Sequence, residues 1–103
     1  MAKSRMSLHE ELKCILGSSN VYYQPPETVK LSYPCFVYFK DGNYLMRADN
    51  KSYIDFNRYT VVHVGHDPDT DISDRMLKHF IRCRYDRRYT ADNLTHDTFD
   101  LYY

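Results

Sequence analysis

Arg58-Tyr-Thr-Val-Val-His-Val-Gly-His-Asp-Pro-Asp-Thr-Asp-Ile-Ser-Asp-Arg75 is the stretch on which the fold turns. From Arg58 to Gly65 the side chains alternate, with Tyr59, Val61 and His63 on one side and Thr60, Val62 and Val64 on the other, which is the two-residue period of a strand. Asp67-Pro68-Asp69 ends that strand, because proline cannot donate to a ladder. Met76, Leu77, Phe80 and Ile81 then share a helical face, predicting a helix over residues 73–81. Asp71, Ser73 or Asp74 can cap it, and acidic groups suit the positive end of the helix dipole. Two further strand-like segments follow, Arg82–Tyr89 and Thr95–Tyr103.

Working outward, Ser7-x-x-Glu10 has the spacing of a capping box, and Leu8, Leu12, Ile15 and Leu16 recur at one-turn intervals. Gly17 can adopt the left-handed conformation that closes a helix, so a helix is expected from Leu8 to Leu16. Val21-Tyr-Tyr23 is a short strand that Pro25-Pro26 terminates. Cys35-Phe-Val-Tyr-Phe39 is a continuous apolar run, the pattern of a central strand covered on both faces. Asp41-Gly42-Asn43 signals a turn, with Tyr44–Arg47 as a return strand and Ala48–Ser52 as a polar connection. In the strand from Cys83, the residues Cys83, Tyr85 and Tyr89 are expected on one face and Arg84, Asp86 and Arg88 on the other. Phe99, Leu101 and Tyr103 face one way on the last strand. The expected architecture is α+β: a mostly antiparallel sheet of four to six strands packed against two helices.

The 103 residues suffice for one domain and not for two. A core of that size is modest, so association between copies can supply much of the stability. Fourteen basic and fourteen acidic residues leave a net charge of zero, which provides no long-range field toward nucleic acid or an anionic membrane. The unusual number is aromatic: 11 Tyr and 5 Phe without Trp, residues that serve equally in strands and at protein–protein interfaces. Cys14, Cys35 and Cys83 are odd in number and form no Cys-x-x-Cys pair, which fits free thiols in a reducing compartment. Neither a signal peptide nor a transmembrane run is legible, so folding in a cytoplasm and no membrane partner are expected.

Chemistry-bearing patterns are weak. Asp67-x-Asp69-x-Asp71 opens like a calcium loop, but that loop needs Gly sixth and Glu twelfth, and Ile72 and Lys78 stand there. His63 with His66, and His79 with Cys83, use zinc-binding residue types without a dense cluster, so no metal or cofactor is expected. Ser, His and Asp are plentiful yet lie on no recognisable nucleophile elbow, which argues against an enzyme. Arg82, Arg84, Arg87 and Arg88 interleaved with Tyr85 and Tyr89 could hold phosphates and stack bases as single-strand binders do. The interruption by Asp86 and the zero net charge favour a solvated strand face pairing with carboxylates of a neighbouring subunit.

Leu31-Ser-Tyr-Pro-Cys-Phe-Val-Tyr38, Ala48-Asp-Asn50, Asn57-Arg-Tyr-Thr-Val61, Tyr85-Asp-Arg-Arg-Tyr-Thr-Ala-Asp-Asn-Leu94 and Phe99-Asp-Leu-Tyr-Tyr103 together resemble the small tail-terminator, or tail-completion, proteins of tailed bacteriophages. The resemblance covers most of the chain after the first helix. It implies an α+β subunit that assembles into a ring, usually of six. The ring caps the head-proximal end of the tail tube, joins it to neck and connector proteins, and in contractile tails contacts the sheath. It implies a virion protein assembled in the bacterial cytoplasm, with no catalytic residues, and genomic DNA passing through the lumen without specific binding. Candidate interface residues are Tyr44, Arg47, Asp49, Asn50, Arg84, Arg87, Arg88 and Asp92. A head-completion or neck adaptor protein, and a nucleic-acid-binding module using Arg82–Tyr89, are the alternatives.

Overall fold

The structure, a computed structural model, describes residues 4–26, 28–48 and 52–103, and for residues 43–48 and 52–56 the backbone alone. The element order is α1 (Arg5–Leu16), β1 (Val21–Tyr23), β2 (Cys35–Ala48), β3 (Ser52–Gly65), α2 (Ile72–His79), β4 (Cys83–Ala91) and β5 (Leu94–Tyr102). The strands form one five-stranded sheet in the order β1-β2-β3-β5-β4, antiparallel except for the β1–β2 pair. This is the α+β arrangement expected, with two helices against a mostly antiparallel sheet.

Both helices lie on the same face of the sheet. Leu8, Leu12 and Ile15 of α1 and Ile72 and Met76 of α2 join Phe36, Tyr38, Tyr59, Val61, Phe99 and Leu101 in the main core. Each fully buried side chain of this kind contributes about 1.5–3 kcal/mol. Polar tips within that core are satisfied: the Tyr38 hydroxyl meets His9 Nδ1 at 2.8 Å and accepts from Arg5 Nη1 at 3.2 Å. The Tyr103 hydroxyl donates to Glu11 and pairs with the Ser7 hydroxyl, tying the last strand to α1.

Several sequence expectations are corrected. α1 begins a turn earlier than the Ser7-x-x-Glu10 box suggests: Ser4 is the N-cap, its Oγ accepting from the Ser7 amide at 3.2 Å, while the Ser7 hydroxyl turns inward to Tyr103. Gly17 closes the helix with φ +79°, as anticipated. α2 ends at His79, so Ile81 falls in the following turn and is 92% exposed, while Leu77 flanks the buried stripe of Ile72, Met76 and Phe80. Asp41-Gly42-Asn43 makes no turn. It sits within β2, where the register shifts between Lys40 and Gly42 and Asp41 is the extra, bulged residue. Thr60 Oγ1 donates to the Asp41 carboxylate at 2.6 Å and Arg58 Nε lies 3.5 Å from it, so the cross-strand partner β3 satisfies the side chain that would otherwise nucleate a turn. Residues 53–57 are therefore strand, and the reversal falls after Ala48.

The helix start is testable by urea unfolding. Ser4→Ala is expected to cost about 1 kcal/mol as a lost N-cap. Glu10→Gln should change stability by less than about 0.5 kcal/mol, since its ion pair with Lys13 lies on the surface.

Candidate assembly surface

The face of the sheet turned away from the helices is built by alternation. Register sets Val37, Val62, Thr98 and Arg87 in one row across β2, β3, β5 and β4, and Phe39, Thr60, Asp100 and Arg84 in the next. Thr98 and Asp100 within this face are buried, and one end of it is covered by a further segment. There Leu31 and Tyr22 pack on Cys35, Val64 and Leu94, with the Tyr22 hydroxyl accepting from the Ser32 amide at 3.2 Å. Beyond that end Phe39 is 39% exposed, and a groove of about 480 Å³ opens between Gln24, Pro25, Val37, Phe39 and Lys40. In the apolar run Cys35–Phe39, Phe36 and Tyr38 lie in the main core and Cys35 and Val37 in the second cluster, so the expected cover on both faces holds at the start of the run and fails at Phe39.

The second feature is length. β2 and β3 pair with each other over their whole extent, from Cys35–Val64 to Ala48–Ser52. The ladders to their outer neighbours stop earlier: β1 reaches Tyr38 and β5 reaches Arg58, with one more backbone exchange between Asn57 and Tyr103. Residues 43–48 and 52–56 therefore form a two-stranded ribbon that has no third strand among the described residues, and the molecule measures 50 × 28 × 22 Å.

The candidate interface residues divide between these features. Arg84 and Arg87 lie on the open face. Arg84 Nη2 pairs with Asp100 Oδ2 at 2.8 Å while remaining 76% exposed, and the Arg87 guanidinium lies over the Tyr89 ring, which stacks on His96. Tyr44 and Arg47 occupy ribbon positions opposite Phe56 and Tyr53, whereas Asp49 and Asn50 lie outside the described residues. Asp92 sits at the other end of the sheet. With φ +53°, and Asn93 at +62°, it makes the tight left-handed turn joining β4 to β5.

Arg88 goes elsewhere, and the alternation expected for β4 is corrected. The register shifts between Tyr85 and Arg87, so Asp86 is an extra residue and every later side chain changes face. Tyr89 joins Arg84 and Arg87 on the open side, while Arg88 turns to the helix side beside Tyr85. There Arg88 Nε donates to Asp97 Oδ1 at 2.8 Å, Arg88 Nη1 to the Pro68 carbonyl at 2.9 Å, and the Tyr85 hydroxyl to the same carboxylate oxygen at 2.6 Å. The Tyr–Arg stripe read as a stacking platform is accordingly split between two faces.

Asp97 is fully buried and gave no sequence signal beyond its place in an alternating strand. Burial alone would push its carboxyl up, but hydrogen bonds from Arg88 and Tyr85, with the charges of Arg88 and His63, outweigh that and hold it below the usual range. His63, opposite Asp97, is buried too, and burial pushes its imidazole down despite the neighbouring carboxylate. Of the other proposed metal-ligand types, His66 meets the Tyr33 ring, His79 pairs with Glu11, and burial pushes the Cys83 thiol up to about 11. The described residues contain no group of three or more His, Cys, Asp and Glu placed to hold a metal ion. No protein-family model matches this chain, and no curated protein matches it significantly.

Removing either member of the Arg88–Asp97 pair should have unequal effects in denaturant titrations. Arg88→Ala leaves a buried carboxylate short of donors and is expected to cost about 2–3 kcal/mol, discounted from the fully buried case because the guanidinium is 41% exposed. Asp97→Asn frees an arginine that water can solvate and should cost less, while Arg84→Ala should leave the unfolding midpoint unchanged.

The acid limb of the stability profile follows from the same cluster. A His63 held by burial below the ordinary imidazole value of 6.5 takes up its proton later in the folded state than in the unfolded state, so stability should begin to fall as pH drops below about 6.5. The contribution of the depressed Asp97 is complete above the ordinary carboxyl value of 3.8 and is lost as pH falls through the lower folded value. His63→Gln should flatten the first part of that limb and leave the second.

Proposed function

We propose that this protein is a non-enzymatic structural protein of a phage virion, a tail terminator. Its copies close into a ring that caps the head-proximal end of the tail tube and joins it to the neck. The observation that carries the reading is the exposed Phe39 on the sheet face away from the helices, together with the projecting ribbon, a surface on which an assembly gains burial that a monomer lacks. The resemblance noted in the sequence supports it from an independent side. Its segments coincide with the framework of that surface: Leu31–Tyr38 forms the partial cover and the start of β2, and Tyr85–Leu94 forms the edge strand with its turn.

Ring closure by identical copies needs two different surfaces on each copy, joined head to tail. Zero net charge lets copies approach without mutual repulsion. The partners are then the chain itself, the tail tube protein, neck and connector proteins and, in a contractile tail, the sheath. Genomic DNA would pass the lumen with weak contact only, since tight phosphate binding would impede transit. Pairing of Arg84 with Asp100 and of Arg88 with Asp97 is consistent with such weak contact.

Particles lacking the protein test the reading by electron microscopy. Over-long or unattached tails are expected. Full-length tails on heads that leak DNA would instead favour a neck adaptor, and unaltered particles would overturn both. In parallel, the purified protein should sediment with isolated tail tubes.

A further inference from the structure

On the helix side, a cavity of about 310 Å³ opens where the end of α1, the start of α2 and the end of β3 meet, bounded by Leu16, Pro34, His63, Gly65, Asp67 and Arg75. That size is at the small end of ligand pockets, ~300–1,000 Å³, and suits the head of a side chain. His63 is the most buried polar group in the lining. It is 4% exposed and makes no hydrogen bond among the described residues. The Phe36 ring packs edge-on against it, and its Cε1, between the two ring nitrogens, faces Gly65, where an added methyl would come within 3.4 Å. Asp97, across the ladder, is committed to Tyr85 and Arg88. Burial pushes the imidazole below its ordinary value, so at neutral pH it keeps a lone pair to offer. A buried polar group left without a partner costs free energy that a suitable ligand recovers.

The charges around this group are acidic on balance. Asp71 is balanced by Arg75, whose Nε lies 3.2 Å from Oδ2 and whose Nη1 donates to the Ile15 carbonyl at 3.1 Å. Asp67 accepts from the Asp69 amide at 2.9 Å but meets no cation among the described residues. Asp69, in the same loop, and Asp74, in the first turn of α2, meet none among them either. Arg88 touches the loop at the Pro68 carbonyl, yet its charge is spent on Asp97. A neutral acceptor beside an uncompensated carboxylate selects a cation rich in N–H donors. A guanidinium fits better than an ammonium, because its planar fork can meet two acceptors at once.

The chain carries such a group on its other face. Arg87 is exposed on the open side of the sheet, 5.6 Å over the Tyr89 ring, and meets no carboxylate among the described residues, whereas Arg84 beside it is paired with Asp100. Its face keeps it from the cavity of its own chain. We propose that Arg87 of one copy enters this cavity in a second copy, its guanidinium spanning the Asp67 carboxylate and the His63 ring. Asp86, the bulged residue next to Arg87, then arrives near Arg75, whose Nη2 has no partner among the described residues. The two surfaces differ, so the contact is head to tail and repeats from copy to copy around a ring. This rests on the self-assembly part of the preceding reading and not on the tail.

Charge exchange tests the contact. Arg87→Glu and Asp67→Arg are each expected to weaken self-association at least about tenfold by sedimentation. Combined in one chain they should recover most of that loss, because each copy again offers opposite charges. His63→Leu removes the acceptor without altering a surface charge and should weaken association as well. Folding is checked by near-ultraviolet circular dichroism. Asp67→Asn, which keeps an acceptor for the Asp69 amide, replaces Asp67→Arg if the latter does not fold, and should also weaken association. Folded single variants that keep the wild-type mass, a double variant no better than the singles, or a wild-type protein monomeric at every concentration overturns the contact. Wild-type rings that fail to bind tail tubes would overturn the terminator reading and leave the contact standing.

Discussion

Two helices of 12 and 8 residues, both on one side, can shield only one face of a five-stranded sheet. Everything else about the molecule follows from that limit. The shielded face gathers Phe36, Tyr38, Tyr59, Val61, Phe99 and Leu101 into a core that holds the chain together. On the other face Val37 and Val62 pack with Leu31 and Tyr22 on the smaller cluster of Cys35, Val64 and Leu94, while Phe39 stays exposed.

Polar groups on the shielded face are arranged to avoid the penalty of burial. Asp97 has no solvent exposure, yet Tyr85, Arg88 and the His63 side chain surround it with donors or positive charge. Arg88 also reaches the Pro68 carbonyl, so one guanidinium links the edge hairpin to the turn that precedes α2. The bulge at Asp86 makes this possible: without the extra residue Arg88 would stand on the open face and Asp97 would lack its cation. The bulge at Asp41 has a comparable consequence on β2, keeping the ribbon in phase with the open side of the sheet.

Much of the fold was legible. Residues 58–65 announced a strand by strict alternation, and Leu8, Leu12 and Ile15 announced a helix by their spacing, because both patterns report which side a residue shows to the core. The apolar run Cys35–Phe39 was legible as a strand but not for what lay over it. A two-sided apolar pattern is the same whether the second cover comes from the chain or from a neighbour. The candidate residues Arg84 and Arg87 fall on the bare face, whereas Arg88, two positions from a bulge, could not be placed by counting in twos.

Local sequence, then, determined the identity of most elements and the α+β class, since period, capping and proline act over a few residues, but not that β2 runs straight through Asp41-Gly42-Asn43. Tertiary structure alone decided where Asp41 and Asp86 interrupt the ladders, which arginine meets the buried Asp97, and which face was left bare. Those outcomes depend on partners 9 to 19 residues away across a ladder, as Arg88 to Asp97 and Thr60 to Asp41 illustrate. No short window of sequence contains both sides of such a bargain.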